Sequence, residues 1–233
     1  MQSQFTRIIR VRLYKLVIVV LALATIASFI GYVVTKTQKL EAVLVGLATG
    51  LLVAFIQYLL DWNEHREIET IKKLGISRVL AHRDEKSYYQ RLIKEAQREV
   101  AVLGNTASRL LEDFAHPTRT DSRALLEALA RGVNVRVLLP KPVHLAGDDP
   151  SRAEQAGKRM AEIARESAGF KYRYFDHAPA HSLMRLDDEC LVGPIFPHVK
   201  SKDSPAIQVD SQSPFAKEYL TYFEDEWNSA RDA

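Results

Sequence analysis

The hydrophobic pattern divides the chain in two. Residues 16–34 and 42–60 are apolar runs without a charged side chain, whereas everything beyond residue 60 alternates between short apolar stretches and charged ones. Each run is as long as the ~20 residues a helix needs to cross a bilayer. Only residues 35–41 separate them, so the pattern predicts a hairpin of two transmembrane helices over residues 1–61. After Leu60 the chain turns charged at once. Trp62 stands at an interfacial position. Ile68 and Ile71 extend a helical stripe toward Leu74 until Gly75 breaks it, which predicts a helical stalk or linker over 62–83.

Residues 84–233 carry the periodicity of an α/β domain. A helix opens at Asp84 with Tyr88, Leu92 and Ala96 on one face. Residues 100–106 form a buried strand running into a glycine turn. A helix over 122–131 ends at Gly132. Val133, Val135, Val137 and Leu139 then alternate with polar residues until Pro140 stops the strand. Residues 140–150 read as a loop, and Ser151 and Glu154 have capping-box spacing for a helix reaching Gly169. Phe170, Tyr172 and Tyr174 form the next alternating strand. Residues 181–193 read as a hairpin turning near Asp188 and Glu189, and 206–210 as a further strand. A last helix has Ser213 as N-cap and sets Phe215, Tyr219, Phe223 and Trp227 on one face, a core stripe. The expected fold class is therefore α/β: a two-helix anchor followed by a mixed sheet flanked by helices.

Charge sharpens the division. Of 32 Lys/Arg and 29 Asp/Glu in the chain, six bases and one acid fall within residues 1–60, leaving 26 bases against 28 acids, net −2, beyond them. The soluble part thus lacks the basic excess that electrostatic nucleic-acid binding relies on, which argues against that partner. Arg7, Arg10, Arg12 and Lys15 precede the first run, and Arg66, Lys72, Lys73 and Arg78 follow the second, with only Lys36 and Lys39 between. Positive charge favours the cytoplasmic side, so both termini and the domain are expected there, with the lipid bilayer as a partner. A cleaved signal peptide is the competing reading of the first run, but its apolar core is too long and the second run still anchors the chain. A single cysteine, Cys190, excludes an internal disulfide.

Few motifs carry chemistry. Gly46 and Gly50 are four apart within the second run, a small-residue face that lets a helix approach closely. The partner is either the first helix of the same chain or a second protomer. Gln57 is the strongly polar side chain of the spans. There is no phosphate-binding glycine loop, no dinucleotide fingerprint and no Cys/His cluster with zinc spacing, so no cofactor or metal is expected. Asp148-Asp149 and Asp187-Asp188 read as turn residues.

From about Arg83 onward the order of elements, together with His181 and Asp188 on the hairpin, resembles a half-domain of the phospholipase D superfamily. That family's motif is His-x-Lys-x4-Asp. Here His181 takes the histidine place and Asp188 the aspartate place, but Leu183 stands where the lysine belongs. The resemblance implies a nucleophilic role for the histidine and charge neutralisation by the lysine. Strand alternation puts Arg185 on the His181 face, two residues beyond the missing lysine, where a guanidinium can hold phosphate. If the chain is an enzyme, the candidates are His181, Arg185 and Asp188. For ligand binding they are His181, Arg185, Asn105 at the carboxyl edge of the sheet, and Lys200 of a second His-x-Lys pair begun by His198. His181 as a hydrogen-bonded strand residue, with Arg185 paired to Asp187 or Asp188, is the structural alternative.

The active enzymes use two motifs where this chain has one, so a homodimer or larger homo-oligomer is expected to complete a site. The chain also looks like bacterial proteins that keep this domain as a non-catalytic module. That likeness implies a multi-pass protein of the bacterial inner membrane, a sensor or effector in stress or anti-phage defence that binds a nucleotide or other phosphate-bearing ligand. A membrane-bound phosphodiesterase or phospholipase D-type transferase acting as a dimer is the alternative, and a partner-docking scaffold the blandest option.

Overall fold

The computed structural model describes residues 2–34, 38–196 and 199–232. Lys36 and His198 lie outside the described residues, as do the side chains of Arg7, Arg10, Arg12, Lys15, Lys39, Trp62 and Arg66. The chain divides into two compact units, Met1–Ile71 and Lys72–Ala233.

The first unit is a pair of helices, α1 (Gln2–Val34) and α2 (Gln38–Lys73). Both are long and apolar enough to cross a membrane, over Leu16–Val34 and Ala42–Asp61, with mean hydropathies of 2.6 and 2.2. Only 6% of each span is buried within the chain, unlike the core helix of a soluble protein. Leu44, Ala48, Leu51, Phe55 and Tyr58 of α2 are its less exposed side, at the alternating spacing of four and three that marks one helix face. Ser28 and Ala48 are each 7% exposed. The hydroxyls of Thr25 and Thr49 donate to Leu21 O and Val45 O of their own helices, both at 2.8 Å. Each hydroxyl is thus paired within its own helix.

The second unit is built on a mixed eight-stranded sheet. In chain order its elements are β1 (Ile76–Leu80), α3 (Lys86–Glu95), β2 (Glu99–Leu103), α4 (Ser108–Phe114), α5 (Ala124–Ala130), β3 (Asn134–Pro140), α6 (Asp149–Glu166), β4 (Phe170–Phe175), β5 (His181–Leu186), β6 (Glu189–Pro194), β7 (Ala206–Asp210), α7 (Pro214–Ser229) and β8 (Arg231–Asp232). The spatial order is β1-β7-β6-β5-β2-β3-β4-β8. β2, β3 and β4 are parallel, and every other pairing is antiparallel.

Alternation along the strands sorts side chains onto two faces. Val100, Val102, Val135, Val137 and Leu139 pack beneath α3, α4, α5 and α6 with Ile93, Leu125, Met160 and Ile163. Ala101, Leu103, Leu138, Leu183, Cys190 and Val192 turn the other way, beneath Ala216, Phe223 and Trp227 of α7. The aromatic stripe of α7 is core at its C-terminal half, with Phe223 1% and Trp227 7% exposed. Ser213 caps α7 as expected, its Oγ accepting from Ala216 N at 3.1 Å.

Three local expectations change. Residues 76–80, left in the linker by the sequence, form edge strand β1 against β7; five residues with one apolar pair show too little alternation to reveal it. Gly75 makes the break between α2 and β1 at φ +76°, a left-handed conformation suited to glycine. The helix at 151 begins instead at Asp149, and Ser151 Oγ donates to Asp148 O at 3.0 Å rather than capping the helix. Helix α4, which no periodicity announced, follows Ala107 at φ 55°.

Candidate functional site

The β5–β6 hairpin sets the geometry of every motif residue. β5 runs antiparallel to β2, with Leu183 opposite Leu103 and Arg185 opposite Ala101. His181 therefore lies at the carboxyl edge of the parallel strands and the Asp187-Asp188 turn lies at their amino edge. At a rise of ~3.3 Å per residue, His181 and Arg185 are separated by ~13 Å along the strand. They share a face, as alternation predicts, but Leu183 stands between them and is 1% exposed in the core beneath α7.

The two ends of the hairpin have different partners. At the carboxyl edge, the His181 ring lies 5.0 Å from the Tyr219 ring and 4.8 Å from the Tyr222 ring, both on α7. Its Nε2 is buried without a hydrogen-bond partner. Burial pushes its pKa below the ordinary imidazole value, so it is neutral at pH 7. At the amino edge, Arg185 Nη1 is 2.8 Å from Glu99 Oε1, and its Nε donates to Asp187 O at 3.0 Å. Glu99 is also 3.3 Å from Arg136, which Glu224 of α7 grips at 2.6 Å. Asp188 pairs with Arg98 Nη2 at 2.6 Å on the exposed hairpin tip. His181, Arg185 and Asp188 do not converge. Arg185 is held by the Glu99 carboxylate and the Asp187 carbonyl, not by the Asp187 or Asp188 side chain that the structural alternative offered it, because the β2–β5 register sets it opposite Ala101, two residues from Glu99.

The other candidates are dispersed. Asn105 follows β2 at the carboxyl edge, where its Nδ2 donates to Asp149 Oδ2 of α6. Lys200 is exposed in the loop before β7, and its carbonyl accepts from Asp203 N at 2.9 Å. A Cβ added at Gly46 or Gly50 meets nothing within 4 Å, whereas one at Gly31 lies 3.6 Å from Leu44. The Gly46–Gly50 face of α2 thus points away from the face that holds Leu44 and Ala48.

Sequence reasoning passed over a polar cluster at the same carboxyl edge as His181. Asp176, directly after β4, is 2.6 Å from Lys141 and 2.8 Å from His144. The His144 and Lys141 hydrogen bonds hold its carboxyl down to about 2. His177 Nε2 is 3.1 Å from Glu226 of α7. A hydrogen bond to Ala178 O and this carboxylate raise its pKa, while burial opposes them. The signal available was positional: Lys141 and Asp176 are the first residues past two parallel strands, where open α/β sheets bind ligands. A groove of 390 Å³ instead lies at the amino edge, lined by Arg98, Glu99, Asn134, Arg136, Gly169 and Lys171. Its arginines are already paired with acids. No group of three or more His, Cys, Asp or Glu positioned to hold a metal occurs among the described residues.

No family model matches the chain, and no curated protein matches it. Solved structures similar to it include Nuc, a phospholipase D family member from Salmonella typhimurium, at 20% identity over 64% of this chain and 90% of that one, with a TM-score of 0.42. NucT from Helicobacter pylori is similar at 12% identity over 63% of this chain and 89% of that one, TM-score 0.42. TrmBL2, an archaeal chromatin protein described with a mode of DNA binding, is similar at 15% identity over 79% and 71%, TM-score 0.47.

Proposed function

We propose that this chain is a membrane-anchored, non-catalytic sensor or effector of the bacterial inner membrane. Its phospholipase D-like domain binds a phosphate-bearing ligand or a partner on the cytoplasmic side and relays that event, within a homo-oligomer, to the transmembrane helices. The observation that carries the reading is Leu183. At the place of the family's lysine it is a core residue, 1% exposed beneath α7. An ammonium there has no phosphoryl oxygen to reach and no water to solvate it. With Arg185 engaged by Glu99 and Asp188 by Arg98 at the amino edge, neither of these two residues stands beside His181. The basic residues flanking the spans support the cytoplasmic placement. A relay requires the ligand to favour one arrangement of the oligomer over another.

The enzyme reading keeps one specific observation in its favour, the unpartnered Nε2 of His181 at the carboxyl edge. The test uses the full chain in nanodiscs, with and without His181→Ala, incubated with phospholipids, dinucleotides and cyclic nucleotides and followed by mass spectrometry. The expected result is retention of one compound without turnover. Turnover by the unmodified chain that His181→Ala abolishes overturns the non-catalytic reading and supports a dimeric phosphodiesterase.

A further inference from the structure

The segment between β4 and β5 is fastened by side chains. The backbone holds its ends, Phe175 O accepting from Lys141 N at 3.0 Å and Ala180 O from Ile195 N at 3.2 Å. Between them, residues 176–179 make no backbone–backbone hydrogen bond among the described residues. Two side-chain clips stand in that place. Asp176 Oδ2 accepts from Lys141 Nζ at 2.6 Å, and its Oδ1 lies 2.8 Å from His144 Nε2, which ties the segment to the connection between β3 and α6. His177 Nε2 lies 3.1 Å from Glu226 Oε1, which ties the segment to α7.

The two clips differ in what they ask of a proton. A neutral imidazole with its hydrogen on Nε2 can donate to Asp176, so the first clip does not require a charged His144. His177 instead meets an acceptor at each ring nitrogen: Glu226 Oε1 at Nε2, and Ala178 O at Nδ1, also 3.1 Å away. A carboxylate and a carbonyl have no hydrogen to give, and a neutral imidazole has a single N–H. Only the imidazolium supplies both bonds. Without its proton, one ring nitrogen turns a lone pair toward an oxygen. The charged groups around His177 are Glu226 on α7 and Asp176 on its own segment, with Lys141 and His144 beyond Asp176. Tyr222 stands one turn before Glu226 on α7, and its ring lies 4.8 Å from that of His181. The second clip thus joins the chain entering His181 to the helix packed on His181.

We propose that His177 is a proton-operated latch at the carboxyl edge of the sheet: as an imidazolium it fastens the β4–β5 segment to α7, and on losing its proton it releases that segment beside His181. The Ala178 carbonyl and then the Glu226 carboxylate raise the His177 pKa, against a smaller opposing effect of burial. A group raised in the folded state contributes stability that is complete below its ordinary value and is lost as pH rises through the folded value. The latch is therefore closed in mild acid and opens toward alkaline pH. His181 Nε2, buried without a partner in the closed arrangement, is what the opening uncovers. The latch rests on the proposed function only for its consequence, control of access to the His181 edge, and needs no ligand to operate.

The test places a nitroxide spin label at the exposed position 178, as Ala178→Cys in a Cys190→Ala background, on the full chain in phosphatidylcholine nanodiscs. Electron paramagnetic resonance spectra are recorded from about pH 5 to about pH 9, the range in which imidazole titrates. An immobilised line shape in acid should give way to a mobile one in a single transition, with its midpoint above the ordinary imidazole value. Glu226→Gln should lower that midpoint, because a neutral amide favours the imidazolium less than a carboxylate does. His177→Gln should remove the transition, and His144→Gln should retain it. A line shape that does not change with pH overturns the latch, as does a transition that persists in His177→Gln or vanishes in His144→Gln. The carbon-13 shifts of the histidine rings in the chain without the label give an independent reading. A His177 midpoint at or below the ordinary value there overturns the latch too. Ligand retention in the mass-spectrometric screen is measured separately, so failure of the latch leaves the proposed function standing, and the reverse.

Discussion

Asp187 and Glu99 exchange hydrogen bonds: the Glu99 N–H donates to Asp187 Oδ1 at 2.9 Å, and the Asp187 N–H donates to Glu99 O at 3.1 Å. The same carboxylate accepts from Gln97 N at 2.8 Å and Arg98 N at 3.0 Å. It thereby ties the tip of the β5–β6 hairpin to the start of β2. Asp187 itself sits at φ 53°, a conformation that Asp and Asn tolerate better than most residues. The acid that the sequence marks only as a turn residue is thus a structural clamp.

Asp187→Asn keeps the backbone tolerance and removes the charge. Loss of the charge-assisted bonds to three amides should cost about 2 kcal/mol in the denaturation free energy. Burial raises the Asp187 pKa, but the three amide bonds together outweigh it, and the net shift is downward. A depressed carboxylate contributes stability above its unfolded value, and that contribution is lost as pH falls through the lower folded value. Unfolding midpoints measured from pH 7 down to pH 2 should therefore show an acid loss in the unmodified chain that is smaller in Asp187→Asn.

A lysine at position 183 should not confer phosphodiester chemistry. Leu183→Lys places an ammonium beneath α7, among Leu103, Cys190, Val192 and Phe223. The expected cost is about 3–5 kcal/mol by chemical denaturation, as for an uncompensated buried charge. Phosphodiester turnover should stay at the level of the unmodified chain. A stable, active Leu183→Lys would show that position 183 opens to a site.

Cys190 is fully buried, and burial pushes its thiol up to about 12. Modification by a thiolate-directed reagent at pH 8 should be limited by opening of the sheet and should accelerate together with global unfolding in denaturant. Fast labelling under native conditions would place the β5–β6 hairpin among the readily opening parts of the domain.

The Gly46–Gly50 face of α2 points away from Leu44 and Ala48. Gly46→Leu and Gly50→Leu should therefore leave the helical hairpin intact and shift the distribution of cross-linked species toward monomer. Ala48→Leu, on the buried side, should perturb the hairpin itself. Unchanged cross-linking in both glycine variants would remove this face as a protomer contact.

Much of the architecture was written in periodicity. Two long apolar runs define their own helices because a helix in lipid must satisfy its backbone internally, whatever surrounds it. Val133, Val135, Val137 and Leu139 announced β3, and Phe223 and Trp227 announced the core face of α7, because strand and helix periods are local. Edge strand β1 and short helix α4 escaped because each is held by its neighbours rather than by its own pattern. The site divided along the same line. Sequence alone determined that His181, Leu183, Arg185 and Asp188 share one hairpin. Only the tertiary structure decided their partners, because register against β2 carries Arg185 to Glu99 and leaves His181 with the tyrosines of α7. It also decided that Arg83 meets Ser182, 99 residues further along the chain, together with Pro194 and Pro205. No local pattern encodes a contact made across a folded sheet.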